Sequence, residues 1–143
     1  MSTEQNKVSV RRLMDEVFNK GKISLVDEMF APAFVEREEL PPGTPAGREG
    51  VKQLITVFHS AFPDFKATID DVMAEGDKVV VLSTWSGTQK GEFMGIPSTG
   101  KRISFGVFDV IRFADGKIAE HWGQMDTMKM MQQLGAIPAM AGK

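Results

Sequence analysis

Residues 101–126 read KRISFGVFDVIRFADGKIAEHWGQMD, two β-rich runs around Asp115-Gly116, and the register of this hairpin decides which side chains share a face. If Asp115-Gly116 is a two-residue loop, Ala114 pairs with Lys117 and Asp109 faces Trp122. If Ala114-Asp115-Gly116 is a three-residue loop, Phe113 pairs with Lys117, and Asp109 lies opposite His121. A slip of one residue sends every side chain to the other face. The three-residue loop collects Phe105, Val107, Asp109, Ile111, Ala119, His121, Gly123 and Met125 on one face. Arg102, Ser104, Phe108, Val110, Arg112, Ile118, Glu120, Trp122 and Gln124 fall on the other. The first set is apolar apart from one acid and one imidazole, whereas the two-residue loop mixes charge with large apolar groups on both faces. Polarity therefore predicts the three-residue loop.

In that register Asp109 and His121 are the candidate catalytic pair. A carboxylate at cross-strand distance orients and polarises the imidazole, and the pair can exchange a proton with a ligand. General base catalysis of this kind is worth roughly 10²–10⁴-fold in rate. The competing reading is a structural buried ion pair. The opposite face, centred on Phe108, Val110 and Trp122, is too apolar for open solvent and is expected to be a homodimer contact.

Around the hairpin, helices come first and strands afterwards. Ser2 and Gln5 have capping-box spacing ahead of the apolar stripe Val8, Val10, Leu13, Met14, Val17 and Phe18, which Gly21 is placed to end. A short helix follows Ser24 and stops before Pro32, and Phe34 to Arg37 reads as a brief strand. Pro41-Pro42-Gly43-Thr44-Pro45 has loop chemistry. A third helix over Arg48 to Phe62 puts Val51, Leu54, Ile55, Phe58 and Phe62 on one face. The period then changes to two, giving strands over Phe65 to Glu75 and Lys78 to Lys90. Thr127 to Leu134 is a last helix, capped by Asp126 and followed by Gly135. This order predicts an α+β fold over 1–143, one domain, in which a curved antiparallel or mixed sheet wraps the N-terminal helices. Such a cone leaves an internal pocket, with Phe58, Phe62, Trp85, Phe93, Val107, Gly123 and Met125 as its expected wall.

Composition narrows the function classes. The 143 residues carry 17 Lys and Arg against 19 Asp and Glu, a net charge of −2, which supplies no basic footprint for nucleic acid or an anionic membrane. With no cysteine, disulfides and thiolate chemistry are excluded. Two histidines, His59 and His121, are too few for a three-histidine metal site, so no metal is expected. The longest aliphatic run, Val79 to Leu82, is far short of a membrane span, and no signal peptide is read, which makes a cytoplasmic protein the expectation.

Three blocks carry a family resemblance: Gly87 to Arg102, with Gly-Glu-Phe-Met-Gly-Ile-Pro-Ser-Thr-Gly-Lys-Arg; Arg112-Phe-Ala-Asp-Gly-Lys-Ile118, continuing through Glu120-His121-Trp122 to Asp126; and Gln132-Gln-Leu-Gly135. Weaker blocks lie at Gly47 to Gly50, Phe62 to Asp64 and Gly76 to Val79. With these, the chain resembles the SnoaL-like polyketide cyclases of the nuclear-transport-factor-2-like superfamily. The resemblance implies a homodimeric α+β cone around an apolar cavity. It also implies a cofactor-free intramolecular aldol ring closure, in which an acid/base side chain removes an activated proton. It puts the family's catalytic aspartate on Gly123 and a pocket histidine on Asp109, while His121 is kept. Near the pocket mouth, where many relatives carry a histidine, this chain has Glu36-Arg37-Glu38-Glu39. The expected activity is acid/base cyclisation, isomerisation or dehydration of a small apolar carbonyl compound. The alternatives are non-catalytic binding of a hydrophobic small molecule in the same cone, or an interaction protein working through its outer face.

Overall fold

The computed structural model describes residues 2–138. Helix α1 (Thr3–Arg12) opens with the expected capping box: the Gln5 amide donates to Ser2 Oγ at 3.1 Å, and Ser2 N donates to Gln5 Oε1 at 2.9 Å. It continues through a wider π-helical stretch, Leu13–Asn19, and the chain turns at Gly21 with φ of 69°. Val10, Leu13, Met14 and Val17 are buried, but Val8, expected in the same stripe, stands exposed. Helix α2 (Ser24–Met29) leads directly into strand β1 (Phe30–Glu36), which begins four residues before the expected Phe34. Its Pro32 is tolerated because β1 is a sheet edge, where a missing ladder donor costs little.

Helix α3 (Arg48–Ala61) buries Val51, Ile55 and Phe58. Strands β2 (Lys66–Glu75), β3 (Lys78–Thr88), β4 (Arg102–Ala114) and β5 (Lys117–Met125) follow the sequence reading to within two residues at each end. Helix α4 (Thr127–Leu134) is capped by Asp126, whose Oδ1 accepts from the Lys129 amide at 3.0 Å, and Gly135 turns left-handed behind it.

The five strands form a curved mixed sheet in the order β1-β5-β4-β3-β2, antiparallel except for the parallel pair β1/β5. Two apolar clusters fill the space between helices and sheet. One joins α1, α2, β1 and α3 to Val79, Val81, Ile111 and Ile118; the other gathers Phe58, Phe62, Phe65, Trp85, Phe93 and Phe105 against α4. His59 ties α3 to the first helical segment through the carbonyl of Phe18, 2.6 Å from its Nε2. Among the described residues, no helix is long and apolar enough to cross a membrane.

The β4/β5 hairpin corrects the expected register. Ala114 pairs with Lys117, and Asp115 and Gly116 both have positive φ, 50° and 76°. That is a two-residue type I′ turn, the geometry that Asp-Gly suits best because its twist matches the strands. A bulge at Ala119 follows: Phe113 pairs with Ile118 while Arg112 pairs with Glu120, leaving one residue of β5 over. Asp109 therefore lies opposite Gly123, not His121, and His121 lies opposite Ile111. The extra residue restores the parity, so Asp109 and His121 still share the inner face. Before the bulge the assignment changes, and Ile118, expected outside, is buried inside.

Candidate functional site

Three ionisable side chains form a row across the inner face of the sheet. Glu36 pairs with His121 across the parallel β1/β5 ladder, and its Oε1 lies 2.6 Å from His121 Nδ1. On the other side, His121 Nε2 lies 2.7 Å from Asp109 Oδ1. All three are largely shielded, with side-chain exposures of 14, 17 and 12% for Glu36, His121 and Asp109. The diagonal reach from His121 to Asp109 is possible because Gly123 stands between them with no side chain. A Cβ there would come within 2.8 Å of His121 Cε1 and 3.1 Å of Asp109 Oδ1, and would overlap Glu38 Oε1.

Burial pushes the His121 pKa down, but hydrogen bonds to Asp109 and Glu36, reinforced by their charge, outweigh it and hold it at about 10. His121 is thus an imidazolium at neutral pH, donating from both ring nitrogens. The expected polarised, basic imidazole gives way to a positive charge clamped between two carboxylates. On the opposite face the signs reverse: Glu120 accepts from Arg37 Nε at 2.6 Å and from Arg112 Nε at 2.9 Å, and these bonds hold its pKa below the usual carboxylate range. Alternate residues of neighbouring strands thus build an acid–base–acid row inside and a base–acid–base row outside.

Glu38, just past the end of β1, is the fourth ionisable group. Burial raises its pKa to about 7, with the neighbouring Glu36 and Asp109 adding to the rise and His121 opposing it. One atom each from Glu36, Glu38 and His121 lie within 4.8 Å of one another, a spacing that could hold a cation. A cation would, however, require His121 to give up the proton of one ring nitrogen, and with it that nitrogen's hydrogen bond to a carboxylate.

Two cavities adjoin here. The inner one, about 50 Å³, is walled by Leu13, Phe30, Phe34, Trp85, Val107 and Ile111 among others, and contains the Glu36–His121–Asp109 row. The outer one, about 360 Å³, lies between the Pro41-Pro42 loop, α3 and the start of α4. Of the sequence-predicted wall, Trp85, Val107 and Met125 line the inner cavity, and Phe58, Phe93 and Met125 the outer one. Gly123 faces the charged row. Phe62 lines neither cavity: at the C-cap of α3 it is fully buried and packs on Phe58 and Phe93. Trp85 brings a further feature, an indole Nε1–H that is buried with no partner among the described residues.

Sequence reasoning missed Glu36 and Glu38 as site residues. Glu36 carried a usable signal, since it follows Phe34 by two and so shares that residue's inward face. Glu38 lies outside the strand, where no periodicity reports direction.

Comparison with known proteins identifies the family and the fold. The family model of the SnoaL-like polyketide cyclases matches residues 8–134. The chain belongs to the SnoaL-like polyketide cyclase family. It is 29% identical to the nogalonic acid methyl ester cyclase of Streptomyces nogalater, over 85% of this chain and 92% of that one. It is 31% identical to the aklanonic acid methyl ester cyclase DnrD of Streptomyces peucetius, over 94% of this chain and 92% of that one. Among solved structures, TsrD from Streptomyces laurentii superposes with a TM-score of 0.86 at 31% identity, covering 96% of this chain and 99% of that one. These relatives place the chain among cyclase-type enzymes on an α+β scaffold.

Proposed function

We propose that this SnoaL-like family member closes a ring, without a cofactor, by an intramolecular aldol reaction in a small, largely apolar keto ester. The observation that carries the reading is a row of ionisable groups at the closed end of a cavity otherwise walled by apolar side chains. An outer cavity of about 360 Å³ is within the range of small-molecule sites. In that site an activated C–H loses its proton to a carboxylate, and the resulting enolate carbon attacks a carbonyl of the same molecule. The alkoxide so formed takes a proton back. Asp109 and His121 belong to this machinery as the pair that fixes charge at the closed end, with Glu36 completing the clamp.

The test uses the esters for which the relatives are named, nogalonic and aklanonic acid methyl esters. Incubation with the purified protein is expected to yield a ring-closed isomer of unchanged mass, faster than in buffer, by chromatography with mass detection. Recovery of both esters unchanged, although bound, would favour the second reading, a non-catalytic binder. That reading has its own observation, the bare backbone at Gly123.

The outer face supports a further proposal, that Phe108, Val110 and Trp122 pair two copies of the chain. Phe108 is 62% exposed on a strand centre, and Lys78 Nζ lies 5.5 Å from the Trp122 ring. Exposed aromatic side chains of this kind are what interfaces enrich.

A further inference from the structure

Neither Asp109 nor His121 is placed to meet a ligand the size of a keto ester. Both lie in the inner cavity, whose 50 Å³ has room for a few waters but not for an organic ring. Four residues line the inner and the outer cavity together: Glu38, Leu40, Leu54 and Met125. They form the neck between the two, and Glu38 alone among them is titratable. Its carboxylate also fills the space in front of Gly123, where any side chain on that residue would collide with Oε1. Glu39, its neighbour, lines only the outer cavity.

Resting on the aldol reading above, we propose that Glu38 is the catalytic acid/base: a carboxylate supplied from the end of β1 that stands where β5 offers a bare glycine. Its oxygen takes the proton from the activated carbon, and the C–H electron pair passes into the adjoining carbonyl as an enolate. The enolate carbon then bonds to the internal ketone carbon, and the π pair of that ketone moves to its oxygen. The proton held by Glu38 passes to this alkoxide. Nothing is oxidised or reduced, and the product is an isomer of the substrate.

The Glu36–His121–Asp109 row acts through Glu38, not on substrate. Burial holds Glu38 in its protonated form to higher pH than an ordinary glutamate; the charge of His121 opposes this, and those of Glu36 and Asp109 add to it. A group titrating near neutrality is poised both to accept and to return a proton. His121, with both nitrogens bonded, keeps the two inner carboxylates apart from one another.

The experiment follows two reactions of the full-length protein: exchange of the α-proton of simple acyclic β-keto esters with D2O, by NMR, and closure of aklanonic acid methyl ester. The wild type is expected to catalyse exchange with a rate that climbs about tenfold per pH unit and levels near pH 7. Glu38→Gln is expected to lose roughly 10²–10⁴-fold and the pH limb with it. Glu38→Asp, one methylene short of the neck, is expected to recover part of the rate and to keep a limb. Carbon-detected titration of the side-chain carboxyls gives a reading independent of turnover. One resonance should titrate near 7 and vanish in Glu38→Gln. Full activity with an unchanged limb in Glu38→Gln would overturn the role of Glu38 while leaving the cyclase reading standing. Titration of Glu38 in the ordinary range below 5 would also overturn it. A wild type silent in both reactions would overturn the cyclase reading, and the inference with it.

Discussion

His121 is held by two carboxylates that reach it from strands on either side, and its worth to the fold depends on pH. Its folded pKa, near 10, stands above the free value of 6.5, so the stabilisation is fully present below pH 6.5 and is lost as pH rises through 10. Glu38 follows the same sign: raised from 4.5 to about 7, it favours the fold below pH 4.5 and loses that contribution as pH climbs through 7. Glu120 and Asp64, held below the usual carboxylate range by their partners, oppose both at lower pH. Urea midpoints are therefore expected to fall steadily from pH 5 to pH 9, and in Glu38→Gln the part of the fall below pH 7 should shrink. A midpoint that rises between pH 5 and 9 would contradict the assigned charges. Replacing His121 with Phe leaves Glu36 and Asp109 buried without their cation. That change should cost on the order of 3–5 kcal/mol at neutral pH, read from denaturant melts.

The β4/β5 hairpin is the element on which the site turns. Its Asp115-Gly116 pair takes two positive φ angles in succession, which a β-branched residue adopts only under strain. Gly116→Val is expected to destabilise the protein by about 1–2 kcal/mol, measured as a lowered denaturant midpoint, while Asp115→Gly should be near neutral. The bulge at Ala119 then sets the parity for every later residue of β5. Side-chain alternation by polarity found the right faces for Asp109, His121, Gly123 and Met125, because an extra residue in the strand and an extra residue in the turn have the same effect on parity. It could not tell the two apart, and so misplaced Ile118 and put Asp109 directly across from His121. An extra strand residue leaves no compositional mark that separates it from an extra turn residue.

At the scale of the whole molecule, the two sheet faces carry separate proposals, assembly on the outer face and chemistry on the inner. If Phe108, Val110 and Trp122 join two copies, Phe108→Ser should shift the protein from dimer to monomer in light scattering at micromolar concentration. The monomer should keep the row around His121, since Phe108 points away from it. A wild type that scatters as a monomer would remove the dimer proposal. The inner row exists because β1 lies beside β5, which brings residues some 85 positions apart in the chain within hydrogen-bond distance.

The order of helices and strands, the caps at Ser2 and Asp126, the apolar inner face and the family blocks are all local or periodic features, and the sequence determined them by itself. What only the tertiary structure decided is which acids surround His121. Glu36 arrives through a parallel pairing between the first and last strands, and Glu38 through a chain segment with no repeating geometry. Periodicity reports the face of a residue within its own element, but contacts between distant elements depend on how the sheet closes, and Gly123 became informative only once Glu38 was seen in the space beside it.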